Sequence, residues 1–313
     1  MSTIKTVYDH IHSNNIKTFI LLAMFPLSFI ALLFIAFTFN SPQQEALATS
    51  LAISGPIFAI CAIWMLISWA FGDSMMLNIA NATEIKPDDS EYREIFRSVE
   101  NISLAAGLPT PRVYIIHSNS LNAFATGRSP RDASIALTSG IIKRLNKSEL
   151  DGVIAHEMAH IGNRDIRLDM LMITGVGVTV FIANILWYTA THNIGTRDKE
   201  KQGVDLTIWL CWLVLSIFNV IIVPVLRMAV SRNREYAADA TGAHITRNPN
   251  ALASALRKIS DDSRLPQLDR AKTMASACIA FPGNPRAFFG ELLATHPPIA
   301  SRIKRLESMT IKQ

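Results

Sequence analysis

Thiol chemistry is scarce in this chain. Three cysteines, Cys61, Cys211 and Cys278, are spread over 313 residues, with no C-x-x-C pair. An odd number so dispersed excludes a closed disulfide framework. Cys61 and Cys211 lie in apolar runs, where a thiol packs as a small hydrophobe. Charge is scarce too: Asp, Glu, Lys and Arg make up 18% of the chain while 50% is hydrophobic, against roughly 25% charged in an ordinary soluble domain. Repeats and low-complexity tracts are absent, which excludes solenoid and fibrous architectures. Lys plus Arg still exceed Asp plus Glu by five, 30 against 25. In so apolar a chain this excess reads as basic residues flanking membrane spans and not as a nucleic-acid surface.

What the chain does have is long apolar runs. Residues 16–39 carry no charge after Lys17, and a second run covers 51–77. Each approaches the ~20 residues needed to cross ~30 Å of hydrocarbon as a helix. The loop between them, 40–50, has no Lys or Arg, whereas the N-terminal arm carries Lys5 and Lys17. That asymmetry places the N-terminus in the cytoplasm. The first run is too long for a signal-peptide core, and no A-x-A cleavage site follows it. A third run, 168–188, and a fourth, 206–229, form a second hairpin that either spans the bilayer or lies partly embedded. The third contains Gly175, Gly177, Thr174 and Thr179, residues suited to close helix–helix contact.

The remainder reads as small α+β. Residues 88–106 have helical periodicity and stop at Gly107-Leu108-Pro109. RVYIIH (112–117), NAFAT (122–126) and ASIALT (133–138) read as strands, broken by Gly127 and Pro130. A further helix is expected from Ser148, without a capping box. Helices over 251–259 and 299–306 complete the set. The expected organisation is a membrane α+β protein with four hydrophobic helices in two hairpins, 1–77 and 168–229. A catalytic domain with a small β-sheet is split between 78–167 and 230–313.

The helix after Ser148 carries VIAHEMAHIGN, residues 153–163. His156 and His160 are i and i+4, so both rings share one helix face and can converge on one ion. Glu157 lies about 100° round the helix, badly placed to ligate but well placed to take a proton from an activated water. A catalytic zinc wants three protein ligands and one open position. The H-E-x-x-H-x-x-G-x-x-H pattern would supply the third locally, but Asn163 and Ile166 stand where its Gly and His belong. The third ligand therefore comes from elsewhere. In SRNREYAADA (231–240), Glu235 and Asp239 are again i and i+4. Glu235 would ligate, and Asp239 would accept a hydrogen bond from a ligand histidine. A hairpin made of the third and fourth runs returns both segments to the same membrane face.

HEMAHIGNRD, REYAAD, NAFATG and THPPIASRI together resemble the HtpX-type membrane metalloproteases, relatives of the CAAX prenyl proteases. The resemblance implies a gluzincin-like fold, one Zn²⁺ and a multi-pass location in a bacterial cytoplasmic (inner) membrane, with the catalytic domain facing the cytoplasm. It implies His156, His160 and Glu235 as zinc ligands and Glu157 as the catalytic base. The implied partners are the lipid bilayer and, as substrates, unfolded or damaged membrane proteins. Asn122, Ala123 and Phe124 match the edge-strand segment beside the site. Such an edge binds extended peptide through main-chain hydrogen bonds; the competing reading is a core strand with Phe124 inward. His296, fixed by Pro297-Pro298, is a candidate donor to the developing oxyanion, with a structural helix-entry turn as the alternative.

Two rival functions are a CAAX-type prenyl protease and a catalytically silent zinc scaffold. The former usually has more spans than four. A structural zinc site is closed by four Cys or His ligands, whereas this chain offers a carboxylate and a spare Glu157.

Overall fold

The computed structural model of the chain describes residues 46–192, 232–261 and 297–309, with isolated positions in the first and fourth apolar runs. The first described element is α1 (Ala46–Ile79), which contains the second apolar run and begins ahead of it. A turn at Asn81, in the left-handed region at φ 50°, leads to β1 (Ala82–Ile85), a strand that the sequence patterning did not reveal. Helix α2 (Arg93–Ala106) starts five residues later than expected. Asp89 Oδ1 accepts the Glu91 N–H at 3.1 Å, and this local turn competes with helix over 88–92. Gly107, at φ 65°, ends the helix as the breaker signal predicts.

Strands β2 (Arg112–Ile116), β3 (Ala123–Thr126) and β4 (Ser134–Thr138) follow within a residue or so of the expected positions. The sheet order is β1-β2-β4-β3, with β2 and β4 parallel and both outer pairs antiparallel. Both faces are buried, and side-chain alternation separates two cores. Val113, Ile115, Ala123, Ala125, Ile135 and Leu137 face one core, shared with α2 and the HExxH helix. Tyr114, Ile116, Phe124 and Ala136 face the other, against Met76, Leu77 and Ala80 of α1 and Met170, Leu171 and Ile173 further on. The sheet is thus the layer between the HExxH helix with α2 and the ends of the apolar helices.

A short helix, α3 (Ser139–Arg144), precedes α4 (Lys147–Gly162), the HExxH helix. The expected start at Ser148 without a capping box is corrected here. Asn146 caps the helix, its Oδ1 accepting the Glu149 N–H while its own N–H donates to Glu149 Oε2, both at 2.9 Å. This is a capping box built with Asn where Ser or Thr was sought. The Glu149 carboxylate also accepts Ser254 Oγ and Lys258 Nζ, each at 2.7 Å, from α7 (Pro249–Asp261). Burial alone would raise this carboxyl, but those bonds hold it below the ordinary carboxylate range. Replacing Glu149 by Ala removes the side-chain half of the capping box and strands its partners, an expected loss of about 2 kcal/mol, read as a lowered unfolding midpoint of the full chain in detergent. A group with a depressed folded pKa stabilises fully at neutral pH and less as acid protonates it. The advantage of wild type over Glu149→Gln therefore shrinks as pH falls through the carboxylate range.

Helix α5 (Asp165–His192) runs unbroken through the third apolar run. It lies antiparallel to α1: Trp64 Nε1 approaches the Thr174 carbonyl at 3.4 Å, and a Cβ on Gly72 would come within 2.8 Å of the Met170 side chain. Two helices among the described residues are long and apolar enough to cross a membrane, over Phe58–Ile79 and Asp165–Thr191. The first and fourth runs lie largely outside the described residues. Of the fourth, Trp209 and Trp212 stack with Trp187 of α5 at centroid distances of 5.5 and 4.9 Å, so the two runs meet at that end. The remaining helices, α6 (Arg232–Thr246), α7 and α8 (Ile299–Glu307), pack around α4.

Candidate metal centre

From Leu150 to Ala159, all but Asp151 of α4 is buried, and a helix apolar on every side must be enclosed. Its polar groups are therefore solvated only by what neighbouring elements bring. Helix α6 brings Glu235, Asp239 and Gly242, spaced i, i+4, i+7 along one face. Gly242 is the point of closest approach, because a Cβ there would lie 2.9 Å from the His156 nitrogen. The missing side chain lets α6 lie against α4 and carries the two carboxylates to the histidines.

His156 Nε2 and His160 Nε2 stand 3.2 Å apart. Glu235 Oε1 is 3.6 Å from His160 Nε2, and Oε2 is 3.8 Å from His156 Nε2. Each ring is held from behind by a carboxylate. Asp239 Oδ1 lies 3.0 Å from His156 Nδ1, and Asp165 Oδ2 lies 2.9 Å from His160 Nδ1. A carboxylate at each Nδ1 selects the Nδ1–H tautomer, which aims two bare nitrogen lone pairs at each other. Two such nitrogens at that separation need a proton or a metal cation between them. A tetrahedral ion with bonds of ~2.1 Å sets its ligands ~3.4 Å apart, so the donor set and its spacing fit a small divalent metal. The three residues form a possible metal-binding group, with ligand atoms within 4.8 Å of one another.

The two carboxylates are braced in turn by arginines. Arg302 of α8, fully buried, grips Asp239 with Nε to Oδ2 at 2.8 Å and Nη2 to Oδ1 at 2.7 Å, and its Nη1 reaches Glu235 Oε2 at 3.4 Å. Arg234 reaches Asp165 at 3.4 Å and Asp169 at 3.0 Å. Two parallel His–Asp–Arg relays result, one for each histidine.

Burial pushes the Glu157 carboxyl up to about 7, with Glu235 adding to the rise and His160 and Arg302 opposing it. A carboxylate poised there suits proton transfer at neutral pH. Burial by itself would lower His160, but Asp165, Glu235 and Glu157 outweigh it and raise the imidazole to about 9. That negative potential also favours a divalent cation. His156 is lowered, first by burial. Burial would lift Asp239, yet Arg302 and His156 hold it down to about 2, so it stays an acceptor.

Strand β3 is at once an edge strand and a core strand, because Phe124 is fully buried while only one side of the strand is paired among the described residues. The Thr138 N–H donates to the Asn122 carbonyl at 3.1 Å, and antiparallel alternation then turns the main chain of Asn122 and Phe124 towards β4. The main-chain groups of Ala123 and Ala125 turn away from β4, and the Ala125 N–H donates to the Glu157 carboxylate. Ala125 was not among the residues singled out from sequence, although alternation along NAFAT would have offered it. Asp165, Arg234 and Arg302 were missed too. Asp165 lies five residues after His160 across a helix break, Arg234 is the neighbour of Glu235, and Arg302 lies in the THPPIASRI segment. His296 lies outside the described residues.

The profile of peptidase family M48 matches residues 89–310. A protease HtpX homolog of Caldanaerobacter subterraneus subsp. tengcongensis is 38% identical over 99% of this chain and 100% of its own length. One from Thermoanaerobacter pseudethanolicus is 36% identical over 98% and 99%, and one from Levilactobacillus brevis 40% identical over 82% and 87%. The crystal structure of S. mikatae Ste24p aligns with 84% of this chain at 17% identity and a TM-score of 0.44; the alignment spans 65% of that protein's length.

Proposed function

This chain belongs to peptidase family M48 and is a metallopeptidase, and on that premise we propose that it is a membrane-embedded zinc endopeptidase acting on misfolded or damaged membrane proteins at the cytoplasmic face. The observation that carries this reading is the convergence of His156 Nε2, His160 Nε2 and Glu235 with Glu157 set to one side. His156, His160 and Glu235 would hold Zn²⁺, leaving a fourth position open. When bound, the ion supplies Lewis-acid polarisation of the scissile carbonyl and of the attacking water.

The chain's own residues do the rest. Glu157 takes the proton as water adds to the carbonyl carbon, and returns it to the amide nitrogen as the C–N bond breaks. Asp239 and Asp165 keep both imidazoles in the ligating tautomer. The Ala123 and Ala125 N–H groups are held by Asn122 Oδ1 and by Glu157, so an extended peptide would add along this edge of β3 by donating its own N–H groups to the carbonyls there. Recognition through backbone demands unfolded substrate more than a particular sequence, which suits quality control. The fold reading keeps two hairpins, four hydrophobic helices and a gluzincin-like domain on the cytoplasmic side, supported by Lys5 and Lys17 before the first run.

The test uses full-length protein in detergent with casein as an unfolded substrate. Stripping the metal with 1,10-phenanthroline is expected to abolish cleavage, and one equivalent of Zn²⁺ to restore it. Undiminished cleavage by protein whose metal content has fallen to background would sink the proposal.

A further inference from the structure

Four arginines lie on two segments that meet where α5 leaves the metal centre. Arg164 and Arg167 flank Asp165, while Arg128 and Arg131 lie on the turn joining β3 to β4. Arg167 Nε donates to the Arg128 carbonyl at 2.7 Å, bringing the two segments together. The Arg167 guanidinium also lies over the Trp69 ring of α1, 5.0 Å from its centroid.

The nearby carboxylates are engaged elsewhere. Asp73 pairs with Arg112 at 2.9 Å, Asp165 and Asp169 with Arg234, and Asp132 accepts Ser129 Oγ at 2.9 Å. Among the described residues, Arg128, Arg131 and Arg164 have no acidic partner. Arg131 is exposed, and Arg128 and Arg164 are half-buried.

Depth gives the cluster its meaning. The exposed apolar surface of α1 includes Ile63, Leu66 and Phe71, just short of Asp73. From Arg167 to Trp187, α5 climbs 1.5 Å per residue, or ~30 Å, the hydrocarbon thickness of a bilayer. Trp187, Trp209 and Trp212 cluster at the far end, as aromatic residues do at a membrane interface. The Arg167–Trp69 stack then marks the opposite interface, and the two segments that carry Arg128, Arg131 and Arg164 meet there at headgroup level.

We propose that Arg128, Arg131 and Arg164 form a binding site for the phosphate of an anionic phospholipid headgroup. Guanidinium groups bind phosphate by charge-assisted, often bidentate hydrogen bonds. The site lies on the turn that ends β3, so a bound headgroup fastens the substrate-pairing edge to the bilayer surface. This inference rests on the membrane reading above.

The test reconstitutes full-length, metal-loaded protein in phosphatidylcholine vesicles containing phosphatidylglycerol. Quenching of tryptophan fluorescence by brominated phosphatidylglycerol against brominated phosphatidylcholine gives a relative binding constant. Wild type is expected to prefer phosphatidylglycerol, and each Arg→Gln change to reduce that preference by up to about fivefold. The triple variant R128Q/R131Q/R164Q should show none, and R131Q alone, at an exposed position, should show part of the loss even if the triple variant misfolds. No preference in wild type, or an unaltered one in R131Q and the triple variant, overturns the proposal. So does loss of the wild-type preference in millimolar inorganic phosphate at fixed ionic strength, which would assign the site to free phosphate. Flotation with the vesicles is scored separately: wild type that floats with neither lipid sinks the membrane reading itself.

Discussion

Glu157→Gln is expected to keep the bound metal and to lose between about 10² and 10⁴ in peptidase turnover. Glutamine preserves the shape of the side chain and its acceptance of the Ala125 N–H, but its amide cannot take a proton. Glu157 lies one residue round α4 from His156 and outside the group of three ligand atoms, so metal stoichiometry should be unaffected. Burial is what raises its carboxyl to about 7. Metal content by mass spectrometry and casein cleavage, measured on one preparation, decide the matter. Turnover within tenfold of wild type would remove Glu157 from the proton-transfer step; parallel loss of metal would make it a ligand or a structural group instead.

Arg302→Met is expected to damage the same centre from the opposite side. The guanidinium is fully buried and forked onto Asp239. Removing one partner of such a pair leaves a buried carboxylate uncompensated, at a cost of about 3–5 kcal/mol. Asp239 then holds His156 less firmly, and disturbing a partner behind a ligand weakens metal binding by about 10–100-fold. Arg302→Lys keeps the charge without the planar fork and should fall between. Metal retention against a chelator series, alongside the thermal midpoint, separates local from global damage. Wild-type metal affinity in Arg302→Met would show that the arginine is only a packing element.

The candidate metal centre was legible in sequence to the extent that it is helical. His156 and His160, and Glu235 and Asp239, are pairs whose geometry follows from 3.6 residues per turn, whatever surrounds them. The strands were legible because branched residues between Gly and Pro have few alternatives. β1 was not: Ala82–Ile85 is four residues with one buried side chain, too short and polar to signal itself, and it exists because β2 offers it an edge. The capping box escaped because Asn146 made it in place of Ser or Thr.

By itself, then, the sequence determined which residues could share a helix face, where the chain turns, and which runs are too apolar to remain in water. These are local properties, set by backbone geometry and by transfer of side chains out of water. Tertiary structure alone decided that Arg302, 63 residues beyond Asp239, closes one relay, and that Arg234 ties Asp165 and Asp169 into the other. It decided that Ala125 meets Glu157, and that two segments meet whose three arginines have no acidic partner among the described residues. Buried charges find partners across whatever elements the packing brings within about 3 Å, and sequence distance carries no record of that.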